Sequence, residues 1–335
     1  MRVLVIGGTG LISTAIVRRL LALGHDPVLF NRGKTAARLP RDVETLLGDR
    51  ENHEEFATKV QGVRADAVID MITFDAARAR HAVDVFQGHT GHYVFCSTVC
   101  VYGGPLSRVP ALEDEPQTPV SAYGRGKSEA EAVFRAAFEA QGFPVTIFRP
   151  SHCYGPGQPL LDIWGYNPCL VNRLREGRPI LVPGDGFGQW QPGHVDDMAK
   201  GFVGALGRGV TLGKAYNAVG DEVMDWRQFH ERMGRAIGCE AHIVPMTTAQ
   251  IIAGAPYDQS RMLEEIFQYH AAYSNAALKA DVPDFSDLTP WEEGVRETAR
   301  WMDEQQIHRP CSDQPWIDLL ASREAAFRQE LHAGS

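Results

Sequence analysis

Val3-Leu4-Val5-Ile6-Gly7-Gly8-Thr9-Gly10-Leu11-Ile12-Ser13 stands near the head of this 335-residue chain. Four consecutive apolar residues, three of them β-branched, read as a strand buried on both faces. Gly7 and Gly10 end it in a turn tight enough to bring backbone N–H groups close to an anion. Residues 11–23 then recur with helical spacing and stop at Gly24. Strand, glycine turn and helix in this order form the opening unit of a parallel α/β sheet, with a pyrophosphate site at the helix N-terminus. Ser13 stands where such turns commonly carry a third glycine. It is only slightly larger, so close helix packing survives.

The same alternation continues outward. Residues 27–30, 43–47, 65–70, 92–96 and 145–149 read as strands. Residues 54–60, 76–86 and 121–141 read as the helices between them. Such a series predicts right-handed βαβ units and a doubly wound parallel sheet covered on both faces. After Arg149 the texture changes. Residues 151–168 are rich in Gly and Pro, residues 179–182 and 216–219 are strand-like, and the tail from Thr289 is helical. The expected organisation is a dinucleotide-binding domain of residues 1–165 and 194–220. A smaller substrate-binding lobe of residues 166–193 and 221–335 closes over the carboxyl edge of the sheet, where ligands of such folds bind.

Composition narrows the function. The net charge of −9 argues against a general grip on nucleic acid, which needs a basic surface. No apolar run reaches the ~18 residues of a membrane span. The first strand begins at once, leaving no room for a signal peptide. The six cysteines form no CxxC pair, so reduced thiols in a cytoplasmic protein are expected. The twelve histidines show no HxxxH or HExxH spacing, and no metal site is expected.

Two further stretches carry chemistry. The second strand ends in Phe30-Asn31-Arg32. An acid here would accept hydrogen bonds from the adenosine ribose. Instead Asn31 is neutral, and Arg32 and Lys34 suit a 2′-phosphate, so NADP is expected ahead of NAD. Asp49, after the third strand, is placed for the adenine amine or for a plain turn. Tyr123 and Lys127 sit one helical turn apart in Tyr123-Gly124-Arg125-Gly126-Lys127. Thr98 lies 25 positions before the tyrosine, at a strand end. The lysine ammonium and a nicotinamide cation are both expected to lower the tyrosine pKa toward neutrality.

With these residues the chain resembles the extended short-chain dehydrogenase/reductase superfamily, the NAD-dependent epimerase/dehydratase group, over about residues 1–305. The resemblance rests on Gly7-Gly8-Thr9-Gly10, Gly48-Asp49, the run 95–103 around Ser97-Thr98, Tyr123-x-x-x-Lys127, the run 149–157 from Arg149-Pro150 to Gly157, and His194-Val195-Asp196-Asp197. It implies a Rossmann-type domain with a small substrate lobe, frequent dimers, and transient oxidation of a sugar hydroxyl. It implies catalytic roles for Thr98, Tyr123 and Lys127. Gly7, Thr9, Gly10, Leu11, Ile12, Asn31, Arg32, Lys34, Asp49, Arg50, Met71, Tyr123 and Lys127 are the cofactor-binding set.

The departures from the family pattern are informative. Dehydratases of the family place an acid pair after the catalytic Ser/Thr; Val99-Cys100 stand there. His152 replaces an expected Asn. Trp190 replaces the Arg that grips a nucleotide diphosphate. Arg173, Arg175 and Arg261 are the cations that could compensate, but the sequence places none of them. Thr98, Val99, His152, Trp164 and Trp190 are therefore the candidate substrate contacts, with Tyr166 and Gln191 also in cleft-facing segments. His194 is expected to order its loop. Epimerisation of a sugar-like hydroxyl is the first expectation. Dehydrogenation or ketone reduction of a sugar, glycoside or nucleoside is the second, and RNA binding on the same fold is the reading from another class.

Overall fold

The computed structural model describes residues 1–34, 39 and 42–333. Its centre is a seven-stranded sheet in which all neighbouring strands run parallel. The strands are β1 (Arg2–Ile6), β2 (Asp26–Asn31), β3 (Thr45–Leu47), β4 (Ala67–Asp70), β5 (His92–Cys96), β6 (Val145–Pro150) and the edge strand Ala215–Ala218. From one edge to the other the order is Ala215–Ala218, β6, β5, β4, β1, β2, β3. The order reverses direction beside β1, and that crevice is where ligands of open parallel sheets bind.

Alternation along β1 shows why the run had to be apolar throughout. Val3 and Val5 face one helix layer, while Leu4 and Ile6 face the other. All four are fully buried. Successive strand side chains point to opposite faces, so a strand covered on both sides needs apolar residues at every position. One layer is α1 (Leu11–Ala22) with the helix Val195–Gly204. The other is α2 (His53–Gln61), α3 (Ala76–Phe86) and α4 (Ala122–Gln141).

A second core lies beyond the carboxyl edge. Trp226 and Trp291 are buried at its centre. Strand Pro179–Pro183 pairs there with His242–Met246. This core also takes in Val99, Val101 and Tyr102 from the loop after β5, so it is seated on the segment that carries Thr98. Expected element ends shift by a residue or two: β3 starts at Thr45, β4 at Ala67, and the edge strand at Ala215. Helix Tyr257–Met262 and the wider π-turn Leu263–Phe267 had no readable signal. Among the described residues no helix is long and apolar enough to cross a membrane. No group of three or more His, Cys, Asp or Glu is placed among them to hold a metal ion.

Candidate active site

The glycine turn between β1 and α1 forms one end of a cleft of about 740 Å³ at the carboxyl edge of the sheet. Gly7 has φ +83°, and a Cβ there would lie 2.5 Å from Ile72 Cγ2. Only glycine fits both the dihedral and the space. Ser13 does more than replace a glycine. It is 1% exposed, and its hydroxyl accepts the Gly10 N–H at 2.8 Å. That bond fixes the turn and leaves the next backbone N–H groups at the positive end of α1, whose first turn contains no acid. Leu11, Ile12 and Met71 line the same cleft.

A smaller cavity of about 390 Å³ adjoins it through Gly7, Gly10 and Ile72. Thr9, Asn31, Arg32, Lys34, Asp49 and Arg50 line it. Asn31 is 8% exposed, and its Nδ2 has no hydrogen-bond partner among the described residues. Arg32 and Lys34 are exposed, and no ion pair joins either to another described residue. The glycine cradle and the orphaned Asn31 amide therefore fit a dinucleotide. Asp49 accepts the Glu51 N–H at 3.1 Å, a turn contact.

Arg50 lines that cavity, but its charge is already paired inside the fold. Its guanidinium is turned into the core, bonding Asp70 at 2.7 Å and the Thr73 hydroxyl at 2.8 Å, and it lies over the Phe56 ring. Burial opposes both charges, but the pairing outweighs it. Asp70 is held below the ordinary carboxylate range and Arg50 above its own. A buried carboxylate has taken the charge that the sequence offered to the cofactor.

Thr98, Tyr123 and Lys127 all line the larger cleft. Thr98, just beyond β5, caps the short helical turn Val99–Val101, its hydroxyl accepting the Cys100 N–H at 3.2 Å. Tyr123 and Lys127 come from the first turns of α4, whose N-cap is Ser121. The two glycines between them let that helix sit flush. A Cβ on Gly124 would lie 2.5 Å from the Cys100 carbonyl, and one on Gly126 2.2 Å from the Phe74 carbonyl.

The expected lowering of the Tyr123 pKa is not what the protein's own residues produce. Burial pushes the phenol above its ordinary value, and the Thr98 hydroxyl pulls it back only in part. Yet the tyrosine side chain is 47% exposed: a ring open to a concave cleft is reached by solvent while crowded by protein. Lys127 is 1% exposed. Its Nζ donates to the Cys96 carbonyl at 2.6 Å and lies 5.9 Å from the Tyr123 ring centroid. Burial pushes the lysine below its ordinary value. Its charge is thus held next to the phenol without bonding it.

A polar network unread in the sequence braces this strand end. Glu131, one turn beyond Lys127, accepts from the Ser97 hydroxyl at 2.6 Å and from both Nε and Nη2 of Arg149 at 2.9 and 2.6 Å. Arg149 also donates to the Tyr102 hydroxyl, which donates to Asn217. The i, i+4 spacing of Lys127 and Glu131 was the available signal.

Of the candidate substrate contacts, Thr98, Val99, His152 and Trp190 line the cleft, and so does Tyr166. His152 packs against Tyr166 and Phe267. Burial lowers its pKa to about 4, so it is neutral at pH 7. Trp190 is 3% exposed and stacked on Trp226, which makes it cleft floor more than an open stacking face. Trp164 is a correction: it sits at the turn of the Leu161–Tyr166 hairpin, packs edge-on against Trp316 at 4.4 Å, and does not line the cleft. Gln191 is also turned away, bonding the Gly220 carbonyl and the Tyr273 N–H. His194 is buried against Tyr154, 3.4 Å from Glu297, outside the cleft lining.

The opposite wall comes from residues 258–273, of which sequence reasoning had singled out only Arg261, as a possible compensating cation. Asp258, Arg261, Glu265, Ile266, Tyr269 and Tyr273 line it. Of the three possible compensating arginines, Arg173 is paired with Asp318 and Arg175 with Asp303. Only Arg261 reaches the cleft, where it pairs with Glu265 at 3.2 Å.

Comparison with known proteins agrees with this construction. The profile of the NAD dependent epimerase/dehydratase family matches residues 3–218. The 2′-dehydrokanamycin reductase of Streptomyces kanamyceticus is 26% identical over 98% of this chain and 92% of its own length. The chloroplast stem-loop binding protein of 41 kDa b from Arabidopsis thaliana is 28% identical over 71% of this chain, which spans 63% of that relative. The dTDP-glucose 4,6-dehydratase of Bacillus anthracis, solved in complex with NAD, superposes with a TM-score of 0.72 at 20% identity, covering 91% of this chain and 97% of that one. The chain belongs to the NAD-dependent epimerase/dehydratase family and is an enzyme of the extended short-chain dehydrogenase/reductase type.

Proposed function

We propose that this member of the NAD-dependent epimerase/dehydratase family reduces the ketone of a sugar-like substrate that carries no nucleotide, with NADP preferred over NAD. One observation carries the substrate reading. Among the described residues the cleft offers a diphosphate no arginine clamp: Trp190 stands at the expected arginine position, and Arg261 shares its wall with the carboxylates of Asp258 and Glu265, which repel a diphosphate. A bidentate guanidinium is a strong and directional phosphate contact that an indole cannot replace. The relative that spans nearly the whole chain is a reductase whose name specifies dehydrokanamycin, and this moves net reduction ahead of epimerisation.

In this reading Gly7, Thr9, Gly10, Leu11 and Ile12 would hold the pyrophosphate, Asn31, Arg32 and Lys34 would hold the adenosine end, and Met71 and Lys127 would serve the nicotinamide end. Bound nicotinamide supplies hydride to the carbonyl carbon, or accepts it in reverse. The chain supplies the proton. Tyr123, a phenol whose ordinary pKa of about 10 keeps it protonated at neutral pH, is in the form a reduction needs and gives its proton to the carbonyl oxygen. Thr98 donates a hydrogen bond to the same oxygen. Lys127 stabilises the phenolate left behind, from its anchor on the Cys96 carbonyl. Neutral His152 hydrogen-bonds a substrate hydroxyl without proton transfer.

Epimerisation is the second reading, supported by the family itself; the ketone would then form transiently and be reduced on its other face. The smaller lobe of residues 166–193 and 221–335, and a dimeric state, complete the proposal. Ultracentrifugation tests the dimer. Calorimetry of UDP, dTDP, GDP and CDP against protein with NADP tests the substrate reading. Binding no tighter than about millimolar is expected; micromolar binding of any one of them overturns it.

A further inference from the structure

We infer that the outer wall of the cleft selects a substrate bearing an ammonium group, held between Asp258 and Glu265. This rests on the nucleotide-free reading above and deepens it.

Two carboxylates and one guanidinium line that wall, Asp258, Glu265 and Arg261, so its own balance is one negative charge. The other cation lining the cleft, Lys127, is committed deep inside to the Cys96 carbonyl. Asp258 is exposed, and no ion pair joins it to another described residue. Glu265 is only 25% exposed in its side chain, because the π-turn Leu263–Phe267 carries it inward from the helix before it. Its field reaches the catalytic loop: the Cys100 thiol is pushed up by burial first and also by the Glu265 carboxylate. Cys100 is two residues from Thr98, so an ammonium on Glu265 belongs to the same molecule that Thr98 touches.

A second feature points to a ligand in this place. Tyr273 is 7% exposed and lines the cleft. Its ring stacks on Tyr102 at 5.7 Å, but its hydroxyl has no hydrogen-bond partner among the described residues. That hydroxyl is not among the fully buried unpaired atoms, so it keeps some exposure on a residue that lines the cleft. A hydroxyl partnered only by water can exchange that water for a ligand hydroxyl or amine. The wall therefore offers one hydroxyl contact and an excess of carboxylate, which suits a polyhydroxylated amine. The Arg261–Glu265 pair is an exposed i, i+4 contact of small net strength. An incoming ammonium takes its place on Glu265 at little loss.

Ligand-observed NMR titration of the NADP-loaded protein tests this with three probes. Methyl glucosaminide carries the charge, methyl glucoside lacks it, and methyl N-acetylglucosaminide keeps the nitrogen without the charge. Wild type is expected to bind the first about tenfold more tightly than either of the others, the size of one charge-assisted contact. Glu265→Gln should shrink that ratio to about threefold, and Asp258→Asn with Glu265→Gln should abolish it. Equal binding of all three by wild type overturns the proposal, and so does a tenfold ratio that survives the double substitution. Failure of the nucleotide-free reading is seen separately, as micromolar binding of UDP by wild type, and it overturns this inference with it.

Discussion

The two walls of the cleft are built by different means. The inner wall is the edge of a regular sheet: a glycine turn after β1, Thr98 after β5, and Tyr123 and Lys127 on the first turns of α4. Each side chain is placed by a repeat of known geometry. The outer wall is a short helix, a π-turn and the loop that follows them, residues 258–273. Leu263 and Phe267 anchor its helical part in the second core, and single contacts hold its loop: Ala111 N–H to the Ala272 carbonyl, Ser274 N–H to the Ala111 carbonyl, Ala271 N–H to the Gln189 carbonyl, and Tyr273 N–H to Gln191. The difference teaches a division of labour. Chemistry that must hold atoms rigidly is built on strands and helices, while choice of substrate is left to a segment that can change without disturbing them.

That division is broken most sharply at Tyr123. Tyr123→Phe is expected to lower kcat by about 10²–10⁴ while NADP titration is unchanged, since only the proton donor is lost. Comparable turnover would move the chemistry off the inner wall. Gly7→Ala comes next. Its Cβ would meet Ile72 at 2.5 Å at φ +83°, so NADP affinity should fall by about tenfold or more, with a lower Tm. Unchanged affinity would mean that the cofactor does not use this turn.

Smaller effects lie away from the reacting atoms. Arg32→Glu should swing the NADP-to-NAD binding ratio by about tenfold toward NAD, read by titrating both cofactors. If wild type already binds NAD more tightly, Arg32 is a bystander. The smallest effect concerns stability. Burial lowers His92, His152 and His230 to about 4. Their unfolded values lie near ~6.5, so the unfolded chain binds more protons and stability falls as pH drops from about 6.5 to about 4. Asp162, raised to about 7 by burial, works in the opposite direction and offsets one of the three. His230→Phe should flatten the acid limb of Tm against pH; an unaltered limb would place the loss elsewhere.

The sheet was legible because its signal is local. Val3 and Val5 pack on one side of the sheet, Leu4 and Ile6 on the other, and four apolar residues in a row say as much. The meeting of Thr98, Tyr123 and Lys127 in one cleft was legible for the same reason, as spacing on one helix plus one strand end. The pairing of Arg50 was not legible because its partner is distant. Nothing in the residues around it reveals that Asp70, twenty positions on, is buried and within bonding reach. Trp164 was misread because a hairpin turn sends it toward Trp316 while Tyr166 enters the cleft. The outer wall gave no periodic signal at all. Its residues become neighbours of Thr98 only through contacts made across the fold.

The central claim is that this cleft delivers a proton from Tyr123 as a nucleotide-free ketone is reduced. Transfer of deuterium from labelled NADPH to methyl 3-keto-glucoside, followed by mass spectrometry of the product, tests it most directly. The account predicts about one deuterium per product molecule with wild type, matched by oxidation of the cofactor, and loss of nearly all turnover in Tyr123→Phe. No transfer to methyl 3-keto-glucoside while a UDP- or dTDP-linked keto sugar takes up the label, or equal transfer by the phenylalanine variant, would contradict it.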